Sequence, residues 1–279
     1  MAGLDPTIHV LLTIRLEKDV DARAFASPKR LRPRRRDKRG HDEGRRMDNW
    51  MPILLVPGLV SSPRIFAPVV PALWRYGPVT VANHIRDDNM AVIARRILAE
   101  APPRFALAGH SMGGYIAFEI MRQAPDRIAK LALINTQARP DTPEASERRR
   151  GQVTRAKAGE FRAVLDELFL GFVHPSRRDD AALRQLVHEM GDDVGAEAFV
   201  RQQTAVIGRA DSRPTLAAIK CPTLVLTSDE DHTIPNSLSV EMADGIPGAK
   251  LTITPQCGHL AQVEQPQATS AALVEWLRT

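Results

Sequence analysis

The chain has 279 residues, 43% of them hydrophobic, which suits one large domain or two small ones with a buried core. Its net charge of +5 is unevenly held: residues 1–48 carry 13 of the 38 basic and 8 of the 33 acidic side chains, and the remainder carries 25 of each. Two cysteines without C-x-x-C spacing, no apolar run of membrane-spanning length and no H-E-x-x-H speak against a disulfide scaffold, a membrane protein and a zincin, and for a reducing, cytoplasmic setting.

Residues 1–48 read as a disordered basic extension centred on Pro28 to Arg39. A basic arm can bind nucleic acid or a membrane surface, but this one offers a single aromatic, Phe25, and no helical apolar stripe. Neither partner is expected. The apolar run Ile8 to Ile14 is too short and wrongly flanked for a signal peptide, and Met47 stands just ahead of the first strand. Residues 1–46 therefore read as disordered or as an upstream extension of the true start.

From residue 49 to 279 strand and helix alternate. Strands are predicted over 52–57, 78–82, 104–109, 129–135, 222–228 and 249–254, and helices over 63–75, 88–100, 112–124, 236–244 and 260–277. Such alternation gives a mostly parallel sheet of about six strands with flanking helices, an α/β fold. Between Thr136 and Ile219 the strand signal stops, and helical patterns follow at 143–158, 159–172, 178–190 and 194–208. An inserted helical cap over about 137–218 is expected. Phe161, Val164, Leu165, Leu168, Phe169 and Phe172 recur at helical spacing; most should pack cap to core, with one or two lining a pocket. Arg148, Arg149 and Arg155 read as a solvated helix face, or else as a docking patch for an acidic acyl carrier or a phosphorylated thioester.

Chemistry concentrates at the ends of the strands. Gly109-His110-Ser111-Met112-Gly113 joins a strand to a helix, the setting of a nucleophile elbow, in which the glycines remove side chains that a sharp turn cannot hold. After the strand 222–228 comes Asp229-Glu230-Asp231-His232, and after the strand 249–254 comes Gln256-Cys257-Gly258-His259. An acid and a histidine thus follow the serine in chain order, on loops at the carboxyl ends of successive strands, where open α/β sheets bind ligands. Pro57-Gly58-Leu59 ends the first strand in a glycine turn, a place for oxyanion donors.

These residues make the chain resemble the α/β-hydrolases, in particular the compact serine branch that includes the pimeloyl-carrier-protein methyl ester esterase. The likeness runs from about Pro52 to the C-terminus. It implies Ser111 as nucleophile, His259 as base, Asp231 as orienting acid, and an oxyanion hole from the N–H groups of Leu59 and Met112. The chain departs from that family in two places: no antiparallel strand pair is legible before residue 50, and Pro57-Gly58 replaces the usual His-Gly. On the acidic loop Asp229, Glu230 and Asp231 all qualify; the spacing to Pro235 favours Asp231. His232 reads as a rim residue and His110 as a packing residue. Asn135, where some relatives place the acid one strand earlier, cannot hold an imidazolium's charge.

The expected activity is hydrolysis of a small or medium acyl carboxylic ester through an acyl-enzyme, with no cofactor. Thioester or C–C bond hydrolysis would use the same side chains. A ligand receptor on the hydrolase fold is the reading from another class.

Overall fold

The computed structural model describes residues 50–279; the basic extension of residues 1–48 and Met47 lie outside the described residues. Six strands form one sheet: β1 (Ile53–Val56), β2 (Val79–Val81), β3 (Phe105–His110), β4 (Ile128–Ile134), β5 (Thr223–Ser228) and β6 (Lys250–Thr254), in the order β2-β1-β3-β4-β5-β6. Every pairing is parallel. The four inner strands are apolar and almost wholly buried, as a sheet covered on both faces requires, whereas β2 and β6 at the edges are partly exposed.

The flanking helices are α1 (Val70–Leu73), α2 (Met90–Glu100), α3 (Met112–Gln123), α8 (Asn236–Gly245), α9 (Ala261–Glu264) and α10 (Pro266–Arg278). Between β4 and β5 lies the insertion, made of α4 (Pro143–Arg155), α5 (Phe161–Phe172), α6 (Ala181–Val194) and α7 (Ala196–Ile207). Side chains start these helices where the sequence places cap residues: Asn89 accepts from the N–H groups of Ala91 and Val92, Thr142 from Ala145, and Asp180 from Leu183. A wide turn over Ala156–Glu160, with Gly159 at φ 91°, separates α4 from α5.

Two expected helices are broken. The stretch 63–75 divides into a 3₁₀ turn at Pro63–Phe66, α1, and a second 3₁₀ turn at Trp74–Tyr76, because Pro68 and Pro71 lack the N–H that a continuous helix needs. The stretch 260–277 breaks at Gln265 (φ −133°, ψ 62°), ahead of Pro266, so α10 starts anew with proline at its first position. No helix of the described residues is long and apolar enough to cross a membrane.

The register brings Gly109 of β3 level with Leu133 of β4, and Ser228 of β5 level with Thr254 of β6. The loops leaving β3, β4, β5 and β6 therefore share one sheet edge. That edge carries Ser111, Asn135, Asp231 and His259.

Candidate active site

Ser111 follows β3 directly and has φ 53° and ψ −117°, a conformation side-chain-bearing residues rarely adopt. Backbone crowding imposes it. A Cβ on Gly113 would fall on the Val56 carbonyl oxygen, and one on Gly109 would fall on the Gly113 carbonyl. The turn is held from behind by Thr136, whose Oγ1–H donates to the Ser111 carbonyl at 2.7 Å.

One hydrogen-bonded chain links three of the expected residues. The Asp231 carboxylate accepts from His259 Nδ1–H at 2.8 Å, and His259 Nε2 lies 2.8 Å from Ser111 Oγ. Because a carboxylate only accepts, the imidazole proton belongs on Nδ1 and Nε2 is left to accept from the serine hydroxyl. Asp231 Oδ1 also accepts from the N–H groups of Thr233 and Ile234, and Oδ2 from Asn135 Nδ2. Burial alone would push this carboxyl up; the adjacent His259 and these donors outweigh it and hold the group below its ordinary value. Of the neighbouring acids, Asp229 accepts instead from the N–H groups of Gln256 and Cys257, and Glu230 faces the exposed His232.

The His259 loop is fixed on several sides. Its N–H donates to the Phe172 carbonyl at 2.6 Å, and the Phe172 ring stacks on the imidazole with centroids 5.4 Å apart. Gly258 permits this approach, since a Cβ there would meet the main chain of Val173 and His174. Glu264 accepts from the N–H groups of Gly258, Leu260 and His174, tying the loop to the end of α5; burial nonetheless keeps its carboxyl above the ordinary value. His110 packs against His259, ring centroids 5.1 Å apart, and its Nε2–H donates to the His259 carbonyl at 2.9 Å.

Leu59 and Met112 line the same cavity as Ser111. Among the described residues neither main-chain N–H has a protein acceptor; Met112 is the first residue of α3, where no intrahelical partner exists. The cavity has a volume of about 460 Å³, and Leu168, Phe172, Val206 and Ile234 give it apolar walls. Leu168 and Phe172 reach it from α5, while Val164, Leu165 and Phe169 are wholly buried.

Of the arginines of α4, Arg148 is exposed, as a solvated face would have it, and Arg149 is partly buried. Arg148 and Arg149 both line the cavity, Arg149 bonded to Asp141 at 2.7 Å, whereas Arg155 is turned to Glu160 and Glu167. Sequence reasoning gave no role to Gln202, on α7, whose Oε1 accepts from the Val60 N–H, or to His84, whose Nε2–H donates to the Gly58 carbonyl at 2.9 Å. No periodicity or spacing marks contacts between residues so far apart in the chain. Among the described residues no group of three or more His, Cys, Asp or Glu side chains is placed to hold a metal ion.

Comparison with known proteins places this site in context. The profile described as the alpha/beta hydrolase family matches residues 41–272. RutD of Variovorax paradoxus, provisionally named a carbamate hydrolase, is 26% identical over 247 residues, covering 81% of this chain and 91% of its own. A thermophilic esterase from Thermogutta terrifontis superposes with a TM-score of 0.74 at 29% identity, covering 82% of this chain and 89% of the esterase. The enol-lactonase of Burkholderia xenovorans shares the fold with a TM-score of 0.74 at 22% identity, over 84% of this chain and 94% of its own. With the parallel sheet and the matched span in agreement, the chain belongs to the alpha/beta hydrolase family.

Proposed function

We propose that the protein is a serine hydrolase that cleaves carboxylic esters of short or medium acyl groups through a covalent acyl-enzyme on Ser111. The observation that carries this reading is the buried chain Ser111–His259–Asp231 opening onto a cavity. His259 Nε2 takes the proton as Ser111 Oγ bonds to the carbonyl carbon, and the C=O electron pair moves onto the oxygen. The N–H groups of Leu59 and Met112 receive that oxyanion, each donor worth on the order of 3 kcal/mol in comparable sites. Collapse breaks the bond to the alcohol, which leaves with the proton from Nε2. A water then repeats the sequence and releases the acid. Asp231 keeps the imidazole in the tautomer that both halves need. A cavity of about 460 Å³ lies in the range that encloses small ligands.

The test is a fluorophosphonate probe together with p-nitrophenyl esters of increasing acyl length. Stoichiometric labelling at Ser111, lost in Ser111→Ala along with turnover, supports the assignment; labelling that survives Ser111→Ala refutes it. The names of the curated relatives favour a second reading, attack of the same serine on a carbamate. A p-nitrophenyl carbamate run beside the esters separates the two by kcat/KM.

A further inference from the structure

The cavity beside Ser111 is lined by the ionisable side chains Asp141, Arg148, Arg149, Glu167 and His232. Most of them face an opposite charge. Asp141, its side chain only 3% exposed, is bonded to both Arg149 and Arg209, Glu167 to Arg155 at 2.6 Å, and His232 faces Glu230 at 3.4 Å. Arg148 alone among these lining residues has no counter-charge among the described residues.

A second donor stands next to it. Gln152 lies one turn along α4 from Arg148, on the same face, and also lines the cavity. Its amide orientation follows from a relay that begins at an arginine. Arg149 can only donate, so the Gln203 atom bonded to it at 2.9 Å is the oxygen. Gln203 Nε2 must then donate, and it meets Gln152 Oε1 at 2.8 Å. The oxygen of Gln152 is thereby engaged, and its NH₂ group is left without a protein acceptor among the described residues. On α4 the cavity-lining groups without a protein partner are thus the exposed Arg148 guanidinium and the Gln152 NH₂. Both are donors, and one carries an uncompensated positive charge.

We propose that Arg148 and the Gln152 amide receive a carboxylate carried by the substrate, so that the cavity takes esters bearing a negative charge away from the scissile carbonyl. A planar guanidinium matches a carboxylate with two parallel hydrogen bonds, which fixes orientation as well as charge. The monoester of a short dicarboxylic acid has this chemistry. The assignment rests on the ester-hydrolase reading, and the experiment separates the failure of one from the failure of the other.

Hydrolysis of monomethyl glutarate and of methyl valerate, its uncharged counterpart of equal acyl carbon number, is followed by pH-stat in the full chain. We expect kcat/KM to favour the glutarate ester at least tenfold. Arg148→Met should lower that preference ratio at least tenfold, Arg148→Lys should keep part of it, and Gln152→Glu should turn it toward the neutral ester. A wild-type ratio near one, or a ratio unchanged by Arg148→Met, overturns the proposal while leaving the hydrolase reading intact. If neither ester turns over and the fluorophosphonate leaves Ser111 unlabelled, the hydrolase reading has failed instead. Calorimetry with free glutarate then decides the anion site: a Kd at least tenfold weaker in Arg148→Met supports it, and equal binding or none in the intact protein overturns it.

Discussion

Gln202 Oε1 accepts a hydrogen bond at 3.0 Å from the main-chain N–H of Val60, a residue 142 positions away. The bond holds a strained turn. Val60 has φ 49°, a left-handed conformation that a β-branched side chain disfavours, and such strain costs on the order of 1–3 kcal/mol. On the other side of Leu59, His84 holds the Gly58 carbonyl. The residue proposed to point its N–H at the oxyanion is therefore clamped fore and aft, once by the insertion and once by the loop after β2.

Gln202→Leu removes the acceptor from a buried N–H and lets Val60 relax. A lost hydrogen bond of this kind is worth about 1–3 kcal/mol, so we expect kcat to fall roughly ten- to a hundredfold. KM should stay within about twofold, because the donor acts on charge that develops only in the transition state. Steady-state kinetics on a p-nitrophenyl ester checks this. A rise in KM at constant kcat would show that Gln202 shapes the pocket rather than the donor turn.

The buried histidines make stability depend on pH. Burial lowers His84 from 6.5 to about 4, and burial with the adjacent His259 lowers His110 to about 3. Between pH 6.5 and these values the unfolded chain binds protons that the folded protein refuses. Stability present above pH 6.5 is therefore lost as the pH falls. Carboxylates held low, such as Asp231, add their loss below that window, while Glu264, raised by burial, works in the opposite sense. Comparison with His84→Asn isolates one contribution. Chemical denaturation at pH 7 and pH 4.5 should show a drop smaller by about 2–3 kcal/mol in the variant than in the wild type. Identical drops would mean that His84 is protonated in the folded state.

Asn135 shows where sequence reasoning stops. An amide there cannot hold an imidazolium's charge. Its Nδ2 instead donates to Asp231 Oδ2 at 2.9 Å and to Ser228 Oγ at 3.0 Å. The strands, the elbow and the order of serine, acid and histidine are legible because each is a local pattern. Glycine spacing is one, an apolar run ended by a turn is another. Asn135 and Gln202 escape because their contacts run across the sheet and under the insertion.

Asn135 is buried with φ 45°, so Asn135→Gly removes the donor to Asp231 without forcing a larger side chain into a left-handed backbone. Hydrogen bonds to a charged group are worth about 1.5–3 kcal/mol, so kcat should fall on the order of tenfold or more. Asp231→Asn should cost far more, about 10⁴ in the comparable serine-protease case, because the imidazole loses its orienting carboxylate. The order of the two effects is the check. A larger loss in Asn135→Gly than in Asp231→Asn would show that the acid has been assigned wrongly.

Two glycines should respond to alanine with opposite signs. A Cβ on Gly113 would fall on the Val56 carbonyl oxygen and crowd that of Pro57, both of them backbone atoms that cannot swing aside. Gly113→Ala must therefore push α3 away from β1 and disturb the turn that carries Ser111. It should lose several kcal/mol of stability and most labelling by a fluorophosphonate. Gly151 lies inside α4 with nothing within 4 Å of an added Cβ and no positive φ. Alanine there reduces the freedom of the unfolded chain and suits the helix, a gain of about 0.5–1 kcal/mol. For a domain of this size that raises Tm by roughly 1–4 °C. Because Gly151 sits between Arg148 and Gln152, the same variant tests whether α4 is already ordered over the cavity. A rise in Tm with kcat/KM held steady fits a helix that is formed before substrate arrives. A fall in Tm would mean that α4 needs the freedom of glycine at that point.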